Sequence, residues 1–286
     1  MQLAFSVGGE WLVSADLKGS VRSWRMTAAG PELTARQAIE RPPKVLALAV
    51  SGSHVAVGTG GSDAGRGEVF VWPLGELGVG DDRPVWDHPR SVQRLIFDAT
   101  GKHLASGSAD GGVKTGVLRE ERFQALTAYS HGQPVSALSF KEMPDQRVML
   151  ASGADDGEIL VSRPDDSDDS RRKLPRHDGK ITGLAFGAAP GLLVSVAEDG
   201  AVLWQLGVKD ERRIPLEGHR GAIVGLQADV VGRAVVTVGS DQTLRVWPLE
   251  VSALQHLVCL SAGRNLQPDE LPAGFSMPTE PLCPAR

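Results

Sequence analysis

Four side chains near the C-terminal end of the sequence could together form a hydrolytic site. His219, Thr237, Asp241 and Trp247 supply an imidazole, a hydroxyl, a carboxylate and an indole. In a hydrolase, such a histidine takes the proton of the hydroxyl, and the carboxylate orients the imidazole. These residue types therefore predict either a nucleophilic catalytic site or a hydrogen-bond network inside the fold.

The same set of residue types recurs upstream, which favours the structural interpretation. It returns as His177, Ser195, Asp199 and Trp204, without the indole as His131, Ser152 and Asp156, and in a looser form as His88, Ser106 and Asp110. An enzyme needs one catalytic site, whereas a repeated structural unit needs one network in each copy. We therefore expect the carboxylate to bind the imidazole, the imidazole to bind the hydroxyl, and the hydroxyl to accept the indole N–H.

The elements that carry these residues are six copies of one unit. Each copy has an apolar strand, a short turn, a second apolar strand that ends in small residues, a polar turn and a third strand. The second turns follow one another at intervals of 42 to 48 residues, at Gly19, Gly67, Gly111, Gly157, Gly200 and Gln242. Blades of a four-stranded propeller repeat every ~40–45 residues. The spacing predicts an all-β protein.

The repeat resembles that of the WD-repeat β-propellers. Four of the six tryptophans end the third strands, at Trp24, Trp72, Trp204 and Trp247, and Gly218-His219 matches the Gly-His pair that precedes a unit in this family. The resemblance implies six blades of mostly four antiparallel strands, with no obvious outer strand in the last blade. It also implies that the networks of His, hydroxyl, Asp and Trp are structural.

The predicted propeller covers residues 1–250. Its blades span about 2–40, 45–88, 92–129, 135–175, 181–216 and 223–249, and a segment over 251–286 follows. Apolar residues at Val251, Leu254, Leu257 and Val258 predict a short amphipathic helix at the start of that segment.

Most units depart from the family pattern, the second, third and fourth among them. Gly116 and Ser162 stand where the third and fourth units should have tryptophan, and the second unit lacks the hydroxyl. The one literal Trp-Asp pair, Trp86-Asp87, falls in an outer strand and is interpreted as coincidental. We therefore expect these blades to depend on plain apolar packing.

The C-terminal segment resembles the end of bacterial signalling proteins in which a regulated NTPase precedes WD repeats. The matching residues are Cys259, Ala262, Gly263, Arg264, Asn265, Leu266, Glu270, Cys283 and Pro284, whereas Leu271 replaces a tryptophan. Two alternatives follow for the assembly. Either the chain is the C-terminal part of a longer polypeptide, which we favour, or six blades close the ring by face-to-face packing.

Composition argues against several classes of function. A net charge of −5 and a pI near 5.8 disfavour a nucleic-acid partner. No apolar run has the ~18–20 residues that a membrane span needs, and the first residues do not form a signal peptide. Two cysteines, without a second pair at metal-ligand spacing, favour a reducing cytoplasm and predict no metal site. No P-loop or other cofactor motif is present, so no cofactor is expected.

The leading functional hypothesis is a non-catalytic scaffold that binds a protein or peptide, as a sensor or regulatory region of a signalling protein. Binding residues often lie on loops that a stiff framework holds. The candidates on one face of the predicted disc are Arg90, Gln133, Lys180 and Arg220. Two alternatives stay open: an enzyme that uses the propeller channel for a small substrate, and a degraded gene fragment without a function of its own.

Overall fold

The structure is a computed structural model. It describes residues 1–249, apart from 39–43, 61–64, 78–82, 121, 144, 146, 165–170, 190, 208–211 and 230–232. All regular secondary structure in these residues is β-strand. The predicted segment 251–286, with its amphipathic helix, lies outside the described residues.

The strands form six antiparallel sheets, one for each repeat. The first blade contains β1 (Gln2–Phe5), β2 (Trp11–Ala15), β3 (Ser20–Thr27) and β4 (Gly30–Ala38). The second contains β5 (Lys44–Val50), β6 (His54–Gly60), β7 (Gly67–Pro73) and β8 (Trp86–His88). The third contains β9 (Val92–Phe97), β10 (His103–Ser108), β11 (Gly112–Arg119) and β12 (Arg122–Ser130).

The remaining blades follow the same plan. The fourth contains β13 (Val135–Glu142), β14 (Val148–Ala154), β15 (Ile159–Ser162) and β16 (Arg172–Leu174). The fifth contains β17 (Ile181–Phe186), β18 (Leu192–Ala197), β19 (Gly200–Gln205) and β20 (Arg212–Pro215). The sixth contains β21 (Ile223–Ala228), β22 (Ala234–Gly239) and β23 (Leu244–Pro248), with no fourth strand among the described residues.

Successive blades pack face to face, and their first strands follow one another around an axis. The contacts between first strands run from β1 to β5, β9, β13, β17 and β21 in chain order. A neighbouring sheet covers only one face of a blade, so a blade with a neighbour on either side contributes apolar residues to two interfaces. Leu184 and Phe186 of the fifth blade thus join Met149 and Ile159 of the fourth in one buried cluster. The prediction of a WD-repeat β-propeller of mostly four-stranded blades is confirmed.

Glycine in the turns between second and third strands is required by the neighbouring chain. Gly111 and Gly157 have φ values of 85° and 80°, a conformation that residues with a Cβ rarely adopt. A Cβ on either residue would also collide with a backbone carbonyl, that of His131 or of His177. These glycines therefore bring each polar turn against the loop that leads into the next blade.

Candidate functional site

The network predicted in the fifth blade is assembled within the blade. His177 Nδ1 lies 2.6 Å from Asp199 Oδ1, and His177 Nε2 lies 2.7 Å from Ser195 Oγ. Trp204 Nε1 donates to the same hydroxyl at 2.7 Å. Because a carboxylate only accepts, Nδ1 must carry a proton, and in a neutral ring Nε2 then accepts from the hydroxyl. The loop before β17, the second strand, the turn and the third strand are thereby tied together.

The sixth blade repeats this geometry with a threonine. His219 Nδ1 lies 3.2 Å from each oxygen of Asp241, and Nε2 lies 2.8 Å from Thr237 Oγ1, which also accepts from Trp247 Nε1 at 2.8 Å. The backbone N–H of Arg220 donates to Asp241 and, as the main cause, lowers the pKa of that carboxyl. In the fifth and sixth blades, the four residues that the sequence analysis grouped together are hydrogen-bonded to one another.

The fourth blade corrects one member of the predicted set. Glu158, not Asp156, is the carboxylate hydrogen-bonded to His131 Nδ1, at 2.9 Å, whereas Ser152 lies 2.8 Å from Nε2 as expected. Asp156 instead accepts the backbone N–H of Glu158 at 3.2 Å and pairs with Arg176 at 3.1 Å. Its short side chain is used within its own turn, and the longer glutamate reaches the imidazole.

Charged neighbours explain how Glu158 stays ionised where it is largely buried. Burial alone would raise the pKa of this carboxyl, but hydrogen bonds from Lys173 and His131 hold it below its ordinary value. Burial lowers the pKa of His131, so the imidazole is held neutral. A neutral ring can donate at Nδ1 and accept at Nε2, which the network requires.

Aromatic residues from outer strands replace the two missing tryptophans. Trp86 Nε1, in β8 of the second blade, donates to Ser106 Oγ of the third blade at 2.8 Å. Tyr129, in β12 of the third blade, lies 3.0 Å from Ser152 Oγ of the fourth through its hydroxyl. Trp86-Asp87 lies in an outer strand, as expected, and is therefore not a Trp-Asp pair at the end of a third strand. What the sequence did not show is that the indole of Trp86 takes part in the next blade's network.

The sequence does contain a signal that an outer-strand aromatic residue replaces the third-strand tryptophan. The signal is visible only when two successive repeats are compared. An aromatic residue stands two positions before the histidine in both cases, as Trp86 before His88 and Tyr129 before His131. The third strand of the following blade then carries a small residue, Gly116 or Ser162. The missing aromatic group is thus supplied by the preceding blade.

The third blade lacks the carboxylate contact that its sequence suggested. His88 Nε2 lies 2.8 Å from Ser106 Oγ, but its buried Nδ1 has no hydrogen-bond partner. Asp110 accepts the backbone N–H of Gly112 at 3.1 Å instead. Burial, aided by the charge of Lys114, lowers the pKa of His88 to about 4. This imidazole is therefore neutral at physiological pH.

The first blade keeps only the indole-to-hydroxyl part of the network, and in the second blade the indole has no partner. Trp24 Nε1 donates to Ser14 Oγ at 3.2 Å. Trp72 is buried, and its Nε1 has no hydrogen-bond partner. By alignment of the strand pairs, Val57 occupies the position of the accepting hydroxyl. The missing hydroxyl noted in the sequence thus leaves one indole N–H unsatisfied.

These hydroxyls are poorly placed for nucleophilic chemistry. The accessible fraction of each accepting residue in blades three to six is 0%: Ser106, Ser152, Ser195 and Thr237. Each hydroxyl already binds an imidazole and an aromatic donor, so a substrate could approach only if the blade opened. Within the described residues, no group of three or more His, Cys, Asp or Glu side chains is arranged to hold a metal ion.

The four candidate interaction residues lie in the loops that join one blade's outer strand to the next blade's first strand. Because these loops all meet the same end of the sheets, Arg90, Gln133, Lys180 and Arg220 share one face of the disc. We call these four residues the loop face. All are exposed except Lys180, which is half-buried and paired with Asp155 at 2.8 Å.

Hydrogen bonds hold these loops against the neighbouring turns. The carbonyl of Arg90 accepts from Ser108 Oγ at 3.1 Å. The carbonyl of Pro134, next to Gln133, accepts the backbone N–H of Asp155 at 2.9 Å. Together with the contact from Arg220 to Asp241, these bonds make the loop face part of the framework.

Two cavities were not predicted from the sequence. One, of about 400 Å³, lies among first strands near the axis and is lined by Arg94, Ser136, Phe140, Thr182, Leu184 and Leu226, among others. The other, of about 920 Å³, lies among turns and outer strands of blades one to three and is lined by Trp11, His54, Trp72, Arg122 and Phe123, among others. The repeat pattern could not reveal them, since it describes one blade at a time.

The described part of the chain contains no helix with the length and apolar character that a membrane span requires.

Comparisons with known proteins agree with the propeller architecture. The WD40 family, described as "WD domain, G-beta repeat", matches residues 84–115 and 211–248. The chain is 26% identical over 175 residues to "Chromatin assembly factor 1 subunit FAS2 homolog" of Oryza sativa subsp. japonica, which covers 57% of this chain and 34% of that protein. It is 26% identical over 170 residues to "Protein LST8 homolog" of Drosophila melanogaster, covering 58% and 51% of the two chains.

A third relative is shorter in its match but slightly more similar. The chain is 30% identical over 129 residues to "p21-activated protein kinase-interacting protein 1-like" of Xenopus laevis, covering 43% of this chain and 32% of that protein. The chain thus spans about half or less of the length of these curated relatives.

A solved structure shows the same fold. A chain in "Crystal Structure of Mitotic Checkpoint Complex" superposes with a TM-score of 0.63 at 16% sequence identity, covering 86% of this chain and 75% of that one. Six antiparallel sheets around an axis, the WD40 matches and this superposition together identify the fold of the chain as a WD-repeat β-propeller.

Proposed function

We propose that this chain is a non-catalytic scaffold that binds a protein or peptide through the loop face. The proposal rests on which groups are buried and which are exposed. The imidazoles and hydroxyls that could do chemistry are used inside the blades, whereas Arg90, Gln133 and Arg220 are exposed in loops that those same networks hold.

The rigidity of these loops supports binding over catalysis. A surface that is already ordered loses little conformational freedom when a partner binds. Arginine is enriched among the residues that contribute most of the binding energy in protein interfaces. The loop face contains two arginines, Arg90 and Arg220. The relatives include a chromatin assembly factor 1 subunit homolog and a p21-activated protein kinase-interacting protein-like protein, and both descriptions are compatible with a scaffold role.

A finer proposal concerns the cellular setting. We infer that the chain is the sensor or regulatory region of a bacterial signalling protein that acts in the cytoplasm. This rests on the resemblance of the C-terminal segment, which includes Cys259, Arg264 and Asn265, and on the low cysteine content. No cofactor, nucleic acid or membrane is part of the proposal.

The alternative of an enzyme that works in the channel receives no support from the cavity near the axis. Its lining residues include Arg94 but no aspartate, glutamate or histidine among the described residues. General acid–base chemistry needs such titratable groups within hydrogen-bond reach of the substrate.

The test compares two variants of the same composition. One carries alanine at the four loop-face residues, and the control carries alanine at exposed residues of matching type elsewhere, Arg36, Lys102, Arg119 and Gln124. Proteins retained by the wild type are quantified by mass spectrometry, with circular dichroism as the check on folding. The proposal expects at least a tenfold loss for specific partners with the loop-face variant only. Equal retention by both folded variants would contradict it.

A further inference from the structure

The fourth strand of the second blade covers only part of the third strand. β8 pairs with Gly67, Glu68 and Val69, whereas β7 continues to Pro73. In the first blade, by contrast, β4 pairs with every residue of β3. Within the part of the chain that the structure describes, residues 70–73 therefore have no strand on their outer side.

Val71 is the residue of this open stretch whose backbone points outward. The N–H and C=O groups of successive residues in a strand point to opposite edges. The backbone of Glu68 bonds to Thr59 of β6, whereas the carbonyl of Val69 accepts the N–H of Val85 on the outer side at 2.7 Å. Val71 therefore points outward like Val69, and its N–H and C=O make no hydrogen bond to a described residue.

The next outward position on this edge is already closed. Pro73 has no N–H, and its carbonyl accepts the backbone N–H of Glu76 at 3.2 Å. Val71 thus offers one donor and one acceptor, spaced as in a sheet, to a strand from another chain. Such an unpaired edge is a template for strand addition.

The open edge lies in the cavity of about 920 Å³ described above, which we call the outer groove. Trp11 of the first blade and Leu118 and Phe123 of the third blade line it together with Val71. All four residues are half-buried. Apolar surface is therefore available on both sides of the unpaired backbone groups.

The third-blade side of the outer groove is positively charged. Arg122 is exposed, and its guanidinium makes no hydrogen bond or ion pair with a described residue. Arg83 adds a second positive charge to the lining. Glu76 follows Gly75, which lies beside Trp11 on the first-blade side. A carboxylate is thus favoured next to Arg122, with which it can form charge-assisted hydrogen bonds.

We propose that the second blade binds an extended acidic segment of a protein partner as an added strand beside Val71. The segment forms two backbone hydrogen bonds with Val71, packs an apolar side chain against Phe123 and directs a carboxylate to Arg122. This site is separate from the loop face. Arg122 begins β12 at one end of the sheet, whereas Gln133 follows the other end of the same strand.

A library of short random peptides, selected on the full chain, supplies the probe. Peptides that also bind Arg122→Glu are removed, and those that remain are expected to carry aspartate or glutamate beside apolar residues. Arg36→Glu, which changes an exposed arginine on the outer strand of the first blade, is the matched control and should bind them as the wild type does. If no peptide remains, or if the remaining peptides lack acidic residues, the proposal is overturned.

Two substitutions of Val71 then separate the backbone from the side chain. Val71→Pro removes the outward N–H and no bond to β6, and Pro73 shows that this edge accepts proline. Val71→Ala keeps both backbone groups. In calorimetric titrations with a selected peptide, Val71→Pro should weaken binding at least tenfold and Val71→Ala less than threefold. Unchanged binding by Val71→Pro, with folding checked by circular dichroism, would overturn the proposal.

The same proteins distinguish a second copy of the chain from a separate partner. Selected peptides should bind the loop-face variant as tightly as the wild type, because the two sites lie at opposite ends of the sheets. Wild-type dimers that form with rising protein concentration and are lost in Val71→Pro would overturn the proposal, since they would identify a second copy as the occupant.

Discussion

The indole of Trp86 fills the space beside Gly116 of the next blade. A Cβ on Gly116 would lie 2.6 Å from Trp86 Cζ3, and the indole N–H donates to Ser106 in the same blade as the glycine. Tyr129 and Ser162 form a similar pair one blade later, with their hydroxyls 3.4 Å apart. Where the third strand carries a small residue, an outer strand of the preceding blade thus supplies the aromatic group and couples two blades.

This coupling predicts a large loss of stability when Trp86 is truncated. Trp86→Ala should lower the free energy of unfolding by about 3–5 kcal/mol, because it leaves a cavity and removes the donor to Ser106. Trp86→Phe keeps most of the packing and should cost about 0.5–1.5 kcal/mol through the lost hydrogen bond, because the hydroxyl of Ser106 stays bonded to His88. Urea denaturation followed by circular dichroism measures both. A loss below 1 kcal/mol for Trp86→Ala would contradict the role given to the indole.

The assignment of Glu158 to the network predicts unequal effects of two neighbouring carboxylates. Glu158→Ala leaves the buried Nδ1 of His131 without an acceptor and should cost about 1–3 kcal/mol. Asp156→Ala removes a partly exposed pair with Arg176 and should cost at most about 1 kcal/mol. Thermal or urea unfolding of the two variants decides the point. If Asp156→Ala were the more damaging, the sequence-based assignment would be restored.

His88 predicts a dependence of stability on pH. Its folded pKa of about 4 lies below the ordinary value of 6.5, so protons bind preferentially to the unfolded chain in between. The contribution of the neutral His88 imidazole to the free energy of unfolding is therefore complete above pH 6.5 and is lost as the pH falls towards 4. At 1.36 kcal/mol per pKa unit, the difference between the folded and unfolded pKa values corresponds to a loss of roughly 3 kcal/mol in the free energy of unfolding.

The comparison protein for this measurement is His88→Gln, which does not titrate. The stability advantage of the wild type over this variant should shrink by roughly 3 kcal/mol between pH 7 and pH 4. Urea midpoints of both proteins across this range give the result. A difference that is independent of pH would show that His88 titrates near its ordinary value in the folded state.

Because the indole N–H of Trp72 has no acceptor, we predict that a hydroxyl at buried position 57 destabilises the protein less than one at position 55. Val57 and Val55 are both fully buried in β6, but only Val57 occupies the accepting position. Val57→Thr can accept the indole N–H, whereas Val55→Thr buries an unsatisfied hydroxyl at a cost of about 1–3 kcal/mol. We expect Val57→Thr to be at least 1 kcal/mol more stable than Val55→Thr in urea denaturation. Equal stabilities would place the indole N–H away from residue 57.

Much of the fold could be predicted because the repeat is periodic. Strand alternation and turns at intervals of 42 to 48 residues require six similar sheets, and packing these sheets face to face buries apolar residues between successive blades. The sets around His177 and His219 were also predictable, since every member lies in one blade or in the loop leading into it. The loop face remains a prediction that binding experiments must test.

The sequence by itself determined the order of the strands and the members of the networks in the fifth and sixth blades, since both repeat at fixed positions. Only the tertiary structure decided which carboxylate meets His131, and that Trp86 serves Ser106. Such contacts depend on side-chain length and on the distance between neighbouring blades. Residues 86 and 106 belong to different units of the repeat, and spacing along one chain does not specify how two sheets pack against each other.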